Sequence, residues 1–239
     1  MKPIKSKTMD IDNLIIEVTR RCNMSCGHCL RGCQQNIDIE QRYITGVLEN
    51  GVDQIGTVTF TGGEPSLNCR AIRHFINECQ RLNISVSAFY IATNGKETTD
   101  EFMQTLLDLY LFCDEKDYCR VDISDDYYHD VEGQSDFAKE SLMAFKFAGM
   151  KDRKEHDSMI FEGSFKDIAN EDKHNKVSAD NIYFEDGSIR GDFYLNAVGN
   201  IIHGCDWSYE SQEKKENVFC RYDEVSEEAI QRCTEVFEE

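Results

Sequence analysis

Basic side chains are scarce in this sequence of 239 residues. It holds 26 lysines and arginines against 45 aspartates and glutamates, which gives a formal net charge of −19. A surface that binds nucleic acid needs clustered Lys and Arg to neutralise phosphates. The charge balance therefore argues against a nucleic-acid partner, and we expect none.

Long apolar runs are also missing. No segment approaches the roughly 18 apolar residues that a membrane-spanning helix needs. The first ten residues are polar, carry Lys2, Lys5 and Lys7, and lack the apolar stretch of a secretory signal. These absences predict a cytoplasmic protein without membrane contact. In a reducing compartment the eleven cysteines are not expected to form a disulfide framework, so some of them should have another role.

Strand-like and helical segments alternate along the first two thirds of the chain, in units of about 30 residues. The predicted strands are Asn13–Thr19, Ile55–Phe60, Ile84–Ala92, Arg120–Ser124 and Met159–Glu162. The predicted helices are Ile37–Glu49, Arg70–Leu82, Asp100–Phe112 and Ser135–Met150. This alternation is typical of βαβ crossovers and a parallel sheet. Because a full eight-fold barrel usually needs about 250 residues, we predict an α/β fold with a partial (β/α) TIM-like barrel.

The alternating pattern is lost in the last third of the sequence. A charged, turn-rich connection is followed by short strands at Ile182–Asp186, Ile189–Asn196 and Asn200–Ile202, joined by hairpin turns. An acidic helix is predicted from about Asp223 to Glu238. We therefore predict a core domain at 1–165 and a C-terminal β-hairpin and helix extension at 166–239.

Three cysteines directly follow the first predicted strand, with the spacing Cys22-x3-Cys26-x2-Cys29. Thiolates suit iron–sulfur clusters or zinc. Three thiolates would leave one iron of a cluster open for substrate chemistry, whereas Cys33 could close the set. Ferredoxin-type runs have different gaps and a proline after the last cysteine, where this chain has Gln34. Zinc sites prefer two separated cysteine pairs, so the loop favours a cluster.

A second motif, Thr61–Pro65 (TGGEP), follows the second predicted strand. Together, the cysteine spacing and this motif resemble the radical S-adenosylmethionine (SAM) superfamily over about residues 13–130. The resemblance implies that Cys22, Cys26 and Cys29 hold a [4Fe–4S] cluster whose fourth iron is chelated by the amino and carboxylate groups of SAM. It also implies that backbone carbonyls of Gly62 and Gly63, with Glu64 nearby, accept hydrogen bonds from the SAM amino group.

Further SAM contacts follow from the same resemblance. His28 stands before the third cysteine, where the family often places an aromatic residue against adenine. Asn94, in Thr93-Asn94-Gly95, would lie on the SAM face at the end of the third strand. Ser124 and Asp125, at the end of the fourth strand, would bind the ribose hydroxyls.

The loop after the fourth strand is dense in polar and aromatic residues. Asp126 and His129 are the candidates there for contact with substrate, although the same segment also reads as a solvated turn. At the next predicted strand, the chain has Glu162-Gly163-Ser164 where related sequences often carry Gly-Arg-Ala. Because the arginine is missing, the role of that arginine is not assigned to any residue of this segment.

The tail contains a stretch, Gly199–Asp206, that resembles the start of the C-terminal extension of radical SAM enzymes that modify peptides. It would be a truncated tail of the SPASM or twitch type that covers the barrel mouth. Cys205, Cys220 and Cys233 lack the tight pairs that an auxiliary cluster would favour.

The resemblance implies a radical SAM enzyme, an oxidoreductase or transferase. It would reductively cleave SAM to a 5′-deoxyadenosyl radical that abstracts hydrogen from a substrate, and the tail suggests that this substrate is a peptide. Its partner would be a low-potential electron donor, flavodoxin or ferredoxin. One alternative is activation of a glycyl-radical enzyme. Another is a ferredoxin-like electron carrier, which would use Cys33 and would leave the TGGEP motif unexplained.

Overall fold

The computed structural model describes residues 9–152, 160–168, 182–202, 204–226 and 229. The strands in this part are β1 Met9–Thr19, β2 Val52–Gly62, β3 Ser85–Thr93, β4 Arg120–Asp125, β5 Ala148–Asp152, β6 Tyr183–Glu185, β7 Ser188–Leu195, β8 Asn200–Ile202 and β9 Val218–Arg221. The α-helices are α1 Gln41–Leu48, α2 Cys69–Leu82, α3 Asp100–Phe112, α4 Tyr127–Val131, α5 Asp136–Met143 and α6 Tyr209–Gln212. None of these helices is long and apolar enough to cross a membrane.

The described strands form one sheet in the order β5-β4-β3-β2-β1-β7-β8-β9, with β6 paired to β7. Neighbouring strands from β1 to β5 are parallel, and β7 is parallel to β1. The β6, β8 and β9 strands pair antiparallel. The predicted mixed α/β class with a mostly parallel sheet is confirmed, and the strand order is compatible with a partial barrel.

Strand β1 lies in the middle of the sheet, between β2 and β7. All its residues from Leu14 to Thr19 are buried. A strand covered on both faces carries a near-continuous apolar run, and the sequence Leu14–Val18 follows this rule except for Glu17. The core continues between the sheet and the amphipathic helices, where α2 buries Ile72, Phe75 and Cys79.

The end of the predicted fourth helix is wrong. Helix α5 ends at Met143, and β5 begins at Ala148, inside the segment predicted as helical. The apolar residues there suit either structure, and pairing decides between them: the backbone N–H of Val121 donates to the carbonyl of Phe147 at 2.9 Å. The fifth strand was therefore predicted too late in the chain, since residues 160–162 belong to no described strand and Met159 lies outside the described residues.

The tail continues the same sheet rather than starting another one. Strand β7 pairs with β1 along most of its length, from Asp10↔Ser188 to Ile16↔Leu195. The domain boundary near residue 165 stays a prediction. The predicted acidic helix does not begin at Asp223, because residues 223–226 are not helical, whereas Ala229 is helical. The rest of that segment, with Cys233, lies outside the described residues.

Candidate active site

The loops that follow β1, β2, β3 and β4 meet at one edge of the sheet, because the carboxyl ends of parallel strands lie together. A cavity of about 430 Å³ opens there. The predicted site residues in its lining are Cys22, Cys26, His28, Cys29, Gly62, Gly63, Glu64, Asn94, Ser124 and His129. The fold thus brings most of the predicted site together.

Two predicted site residues, Asp125 and Asp126, do not line this cavity. The side chain of Asp125 is 43% exposed, and its carboxylate lies 3.8 Å from the Lys139 ammonium. Because successive strand side chains point to opposite faces, Ser124 reaches the cavity and Asp125 does not. The predicted ribose contact of Asp125 therefore has no support from the geometry.

The three motif cysteines are half-buried, whereas Cys33 is exposed. All four line the cavity at the strand ends, where thiolates can bind an iron–sulfur cluster or zinc.

Two thiols of this loop, those of Cys22 and Cys26, are weak acids without a metal. Burial raises the pKa of Cys22, and burial together with the neighbouring cysteines raises the pKa of Cys26 to about 12. A bound metal deprotonates a coordinating thiol outright. Cluster assembly is therefore the event that would ionise these side chains.

Gly62 and Gly63 are needed where the end of β2 meets the end of β1. A Cβ atom on Gly62, whose φ is +139°, would lie 2.0 Å from the carbonyl oxygen of Thr19. A Cβ atom on Gly63 would lie 2.1 Å from the carbonyl oxygen of Arg21. Only glycine allows this approach, so the chain itself requires both glycines, and their contact with SAM stays a prediction.

Glu64 is buried in the cavity wall, and protein groups already bind its carboxylate. Oε1 accepts hydrogen bonds from the Ser66 backbone N–H at 3.1 Å and the Thr93 hydroxyl at 2.8 Å, and Oε2 accepts from the Asn94 backbone N–H at 2.8 Å. Burial raises the pKa of Glu64, and these hydrogen bonds oppose that rise. Its observed contacts join the loops after β2 and β3.

Asn94 contacts a cysteine of the loop. Its side-chain amide nitrogen lies 3.7 Å from Cys22 Sγ and donates to the Asn23 side-chain oxygen at 2.8 Å. Hydrogen bonds to sulfur are among the factors that set the potential of an iron–sulfur cluster. The position predicted to contact SAM thus lies beside a predicted cluster ligand.

His28, Asp126 and His129 form a second polar group beside the cysteines. The ring of His28 stacks on Tyr128 with centroids 4.4 Å apart and meets the His129 ring edge-on at 5.0 Å. Asp126 Oδ2 lies 2.7 Å from His129 Nδ1 and 4.0 Å from His28 Nε2. Burial opposes ionisation of Asp126, but its hydrogen bond to His129 and the histidine charge outweigh this and lower its pKa to about 2. Two histidines and a carboxylate could also hold a metal ion.

Two buried residues of the cavity wall, Arg31 and Tyr209, were missed by sequence reasoning. Arg31 Nη1 donates to the carbonyl of Trp207 at 2.6 Å, and the Tyr209 backbone N–H donates to the carbonyl of Arg31 at 3.1 Å. Burial raises the pKa of Tyr209, so its phenol stays protonated. Arg31 follows Cys29 closely, but no sequence pattern connects it to α6.

Comparison with known proteins agrees with this geometry. Residues 16–122 match the family of 4Fe-4S single cluster domains. Native anSMEcpe with bound AdoMet and Cp18Cys peptide has a similar structure with a TM-score of 0.59 and 11% identity, covering 96% of this chain and 82% of that one. The same enzyme with Kp18Cys peptide gives a TM-score of 0.57 and 12% identity, covering 95% and 82%.

An uncharacterized protein of Methanocaldococcus jannaschii, MJ0907, is 27% identical over 100 residues. The match covers 41% of this chain and 35% of that protein, so it spans about a third of the relative's length. At such low identity the structural likeness establishes the fold. The segment that matches the 4Fe-4S family contains both the cysteine loop and the TGGEP motif, in agreement with the expected cluster.

Proposed function

We propose that this chain binds a [4Fe–4S] cluster through Cys22, Cys26 and Cys29 and cleaves SAM reductively. The observation that carries the proposal is the placement of these three half-buried thiols beside Gly62, Gly63 and Glu64 in one cavity built from strand-end loops. When bound, the cluster supplies one electron to SAM, which yields methionine and the 5′-deoxyadenosyl radical that abstracts hydrogen from substrate.

The chain's own groups would position and protect this chemistry. Gly62 and Gly63 keep the wall free of side chains beside the cysteine loop. Asn94 would donate to the ligand sulfur of Cys22, and Glu64 would hold the Asn94 backbone in place. Ser124 offers a hydroxyl at the same cavity for the SAM ribose. A walled cavity also excludes water, which prevents side reactions of a reactive intermediate.

The substrate class we propose is a peptide, with flavodoxin or ferredoxin as electron donor. The support is the likeness to anSMEcpe, whose structures contain peptides beside AdoMet, over 96% of this chain. His129 lines the cavity with its ring held by Asp126, and both would act on the substrate side.

The test is anaerobic reconstitution with iron and sulfide, followed by dithionite reduction with SAM and measurement of 5′-deoxyadenosine. We expect product from the wild type and from Cys33→Ala, because Cys33 lies outside the three-cysteine motif. We expect none from Cys26→Ala. If the cluster assembles and can be reduced and reoxidised but the protein does not bind SAM, this result would support the electron-carrier alternative and refute the proposal.

A further inference from the structure

Arg31 is a buried cation with few direct hydrogen-bond partners among the described residues. Its exposed fraction is 8%. Within the described residues its guanidinium donates a hydrogen bond to the Trp207 carbonyl and lies over the Tyr194 ring, 5.2 Å from the ring centroid. No carboxylate forms an ion pair with it within the described residues. A guanidinium stays charged and has five N–H donors. Arg31 uses these donors for one hydrogen bond among the described residues, so most of its hydrogen-bonding capacity is unused. This is unusual, because buried charges are normally paired.

Glu17 acts electrostatically on Arg31 but is bonded elsewhere. One Glu17 oxygen accepts from Arg20 Nε at 2.7 Å and from the Ala197 backbone N–H at 3.1 Å. The other accepts from the Tyr194 hydroxyl and the Gln212 amide, both at 2.8 Å. The Glu17 carboxylate therefore accepts hydrogen bonds from Arg20 and from the tail and none from Arg31. The N–H donors of Arg31 remain available for another acceptor.

The Tyr209 hydroxyl is the second unused group. Tyr209 is 2% exposed, and its Oη is buried without a hydrogen-bond partner among the described residues. A buried phenol usually finds such a partner. Because the Tyr209 backbone is bonded to the Arg31 carbonyl, the two unused groups are carried by adjoining segments of chain.

Both residues lie between two cavities. The second cavity, of about 490 Å³, shares with the first Arg31, Gly32, Cys33, Ser164 and Tyr209. Its other charged lining residues are Glu162, Lys166, Asp167, Glu210 and Lys214. The carboxylate of Glu162 is taken by Lys166 at 2.7 Å and by two serine hydroxyls. Gly62, Gly63 and Asn94 are not part of this second cavity.

We propose that Arg31 and Tyr209 bind a carboxylate group of the substrate, which enters through the second cavity. The planar guanidinium matches a carboxylate with two parallel hydrogen bonds, and the phenol adds a donor. This inference rests on the proposed function and narrows its substrate class. The methionine carboxylate of SAM has the same chemistry, but the resemblance puts the SAM methionine beside Gly62 and Gly63, away from the second cavity.

The experiment compares N-acetylglycine, a carboxylate probe, with N-acetylglycinamide, its neutral counterpart. Thermal unfolding of the cluster-reconstituted full chain is followed anaerobically at matched ionic strength, and the midpoint shift gives the dissociation constant. We expect N-acetylglycine alone to stabilise the wild type. Arg31→Gln should weaken its binding by about tenfold or more, and Tyr209→Phe by about fivefold. Arg73→Gln, which changes a half-buried arginine that pairs with Glu101 and lines neither cavity, should bind like the wild type.

Equilibrium dialysis of SAM with the same variants identifies the source of the carboxylate. We expect SAM affinity to stay within about twofold, a change too small for the loss of a charge-assisted hydrogen bond. A tenfold loss of SAM affinity in Arg31→Gln, without specific N-acetylglycine binding, would assign Arg31 to SAM and overturn the proposal. Equal binding of acid and amide by the wild type would overturn it as well.

The experiment does not depend on one variant or on SAM cleavage. If Arg31→Gln does not fold, Tyr209→Phe and the wild-type comparison of acid with amide decide the question. The binding measurement also needs no SAM cleavage. Failure to form 5′-deoxyadenosine would count against the proposed function and would leave the carboxylate site measurable.

Discussion

Glu64 shows how one side chain can organise a site built from separate loops. Its carboxylate bonds Ser66, Thr93 and Asn94, and Asn94 in turn reaches Cys22. Glu64, which follows β2, is thereby connected to Cys22, which precedes it by 42 residues, by way of the turn after β3.

Replacing Glu64 with alanine should be costly because it leaves three donors near a buried wall without their acceptor. We expect Glu64→Ala to lower the free energy of unfolding by about 3 kcal/mol, since each unsatisfied buried group costs about 1–3 kcal/mol. Urea unfolding measures this loss. Glu140→Ala, on the exposed side of α5, is the matched control and should change stability little. Equal effects of the two substitutions would contradict the assigned role of Glu64.

Asp126 predicts a dependence of stability on pH. Its pKa in the folded chain is about 2, against an ordinary value of 3.8, so the folded state favours the ionised form. The stabilisation is about 2 kcal/mol, is fully present above about pH 4, and is lost as pH falls towards 2. Asp126→Asn should therefore be less stable than wild type near neutrality and should match it at the acid end.

Urea unfolding at several pH values measures the Asp126 effect. Asp130→Asn is the control on the same helix, because Asp130 is 63% exposed and lies 3.6 Å from Lys139. Exposed pairs contribute about 0–1 kcal/mol, so this variant should differ little from wild type at any pH. A pH-independent difference for Asp126→Asn would show that hydrogen bonding, rather than charge, explains its effect.

Among the structural elements, the ends of β1 and β2 make the tightest backbone contact near the site. The Gly63 N–H donates to the Thr19 carbonyl at 2.8 Å, and the Glu64 N–H donates to the Arg21 carbonyl at 2.9 Å. These bonds position the start of the cysteine loop against the loop after β2.

A methyl group at Gly63 should force these two strand ends apart. We expect Gly63→Ala to destabilise the fold by about 2 kcal/mol or more, in the range of overpacking substitutions, and to lower the iron content after reconstitution. Gly149→Ala is the control, because a Cβ atom there meets nothing within 4 Å. Thermal unfolding and iron analysis of both variants test this, and full iron loading of Gly63→Ala would argue against the role given to the contact.

The elements best predicted from sequence are those with strong local signals. Helix α3 was predicted with its bounds, and its Thr99 side chain caps the first turn by accepting from the Phe102 N–H. The segment around Ala148 could not be assigned locally, because its apolar residues suit both a helix and a strand paired with β4. Local composition determines the first case, and a partner distant in sequence determines the second.

The same distinction applies to the site. The cysteine spacing and the glycine motif lie on short segments at strand ends, so the sequence alone could place them together. Arg31 and Tyr209 meet only because α6 folds back onto the cysteine loop. Their hydrogen-bonding groups are left unused because of the way these segments pack, and residue spacing in the sequence does not predict this.

For the whole molecule, the tail should be a requirement for folding. Strand β7 covers one edge of the central strand β1, and Arg20 of the site region bonds Gln212 and Glu213 of the tail. The sheet and the candidate site are therefore completed by residues from both ends of the described chain.

Truncation after residue 181 should accordingly prevent folding. We do not expect it to yield a folded core with an uncovered active-site cavity. It would expose the β1 edge and leave Glu17 and Arg20 without tail partners, and an exposed apolar edge strand favours aggregation. Removal of residues 230–239 alone keeps every described strand and should leave the fold intact. Circular dichroism and size-exclusion chromatography distinguish the two, and a folded, monomeric 1–181 fragment would show that the tail is dispensable.

The place of Trp207 has a practical consequence. It is the single tryptophan of the chain; its carbonyl accepts from Arg31, and its side chain packs against the cluster of Ile15, Tyr194 and Ile202. Indole emission responds to nearby charge and to metal clusters that absorb the emitted light. The tryptophan fluorescence of the chain thus comes from one residue, whose backbone is bonded to Arg31 of the cysteine loop. A change in this emission would therefore report on the place where the tail meets that loop.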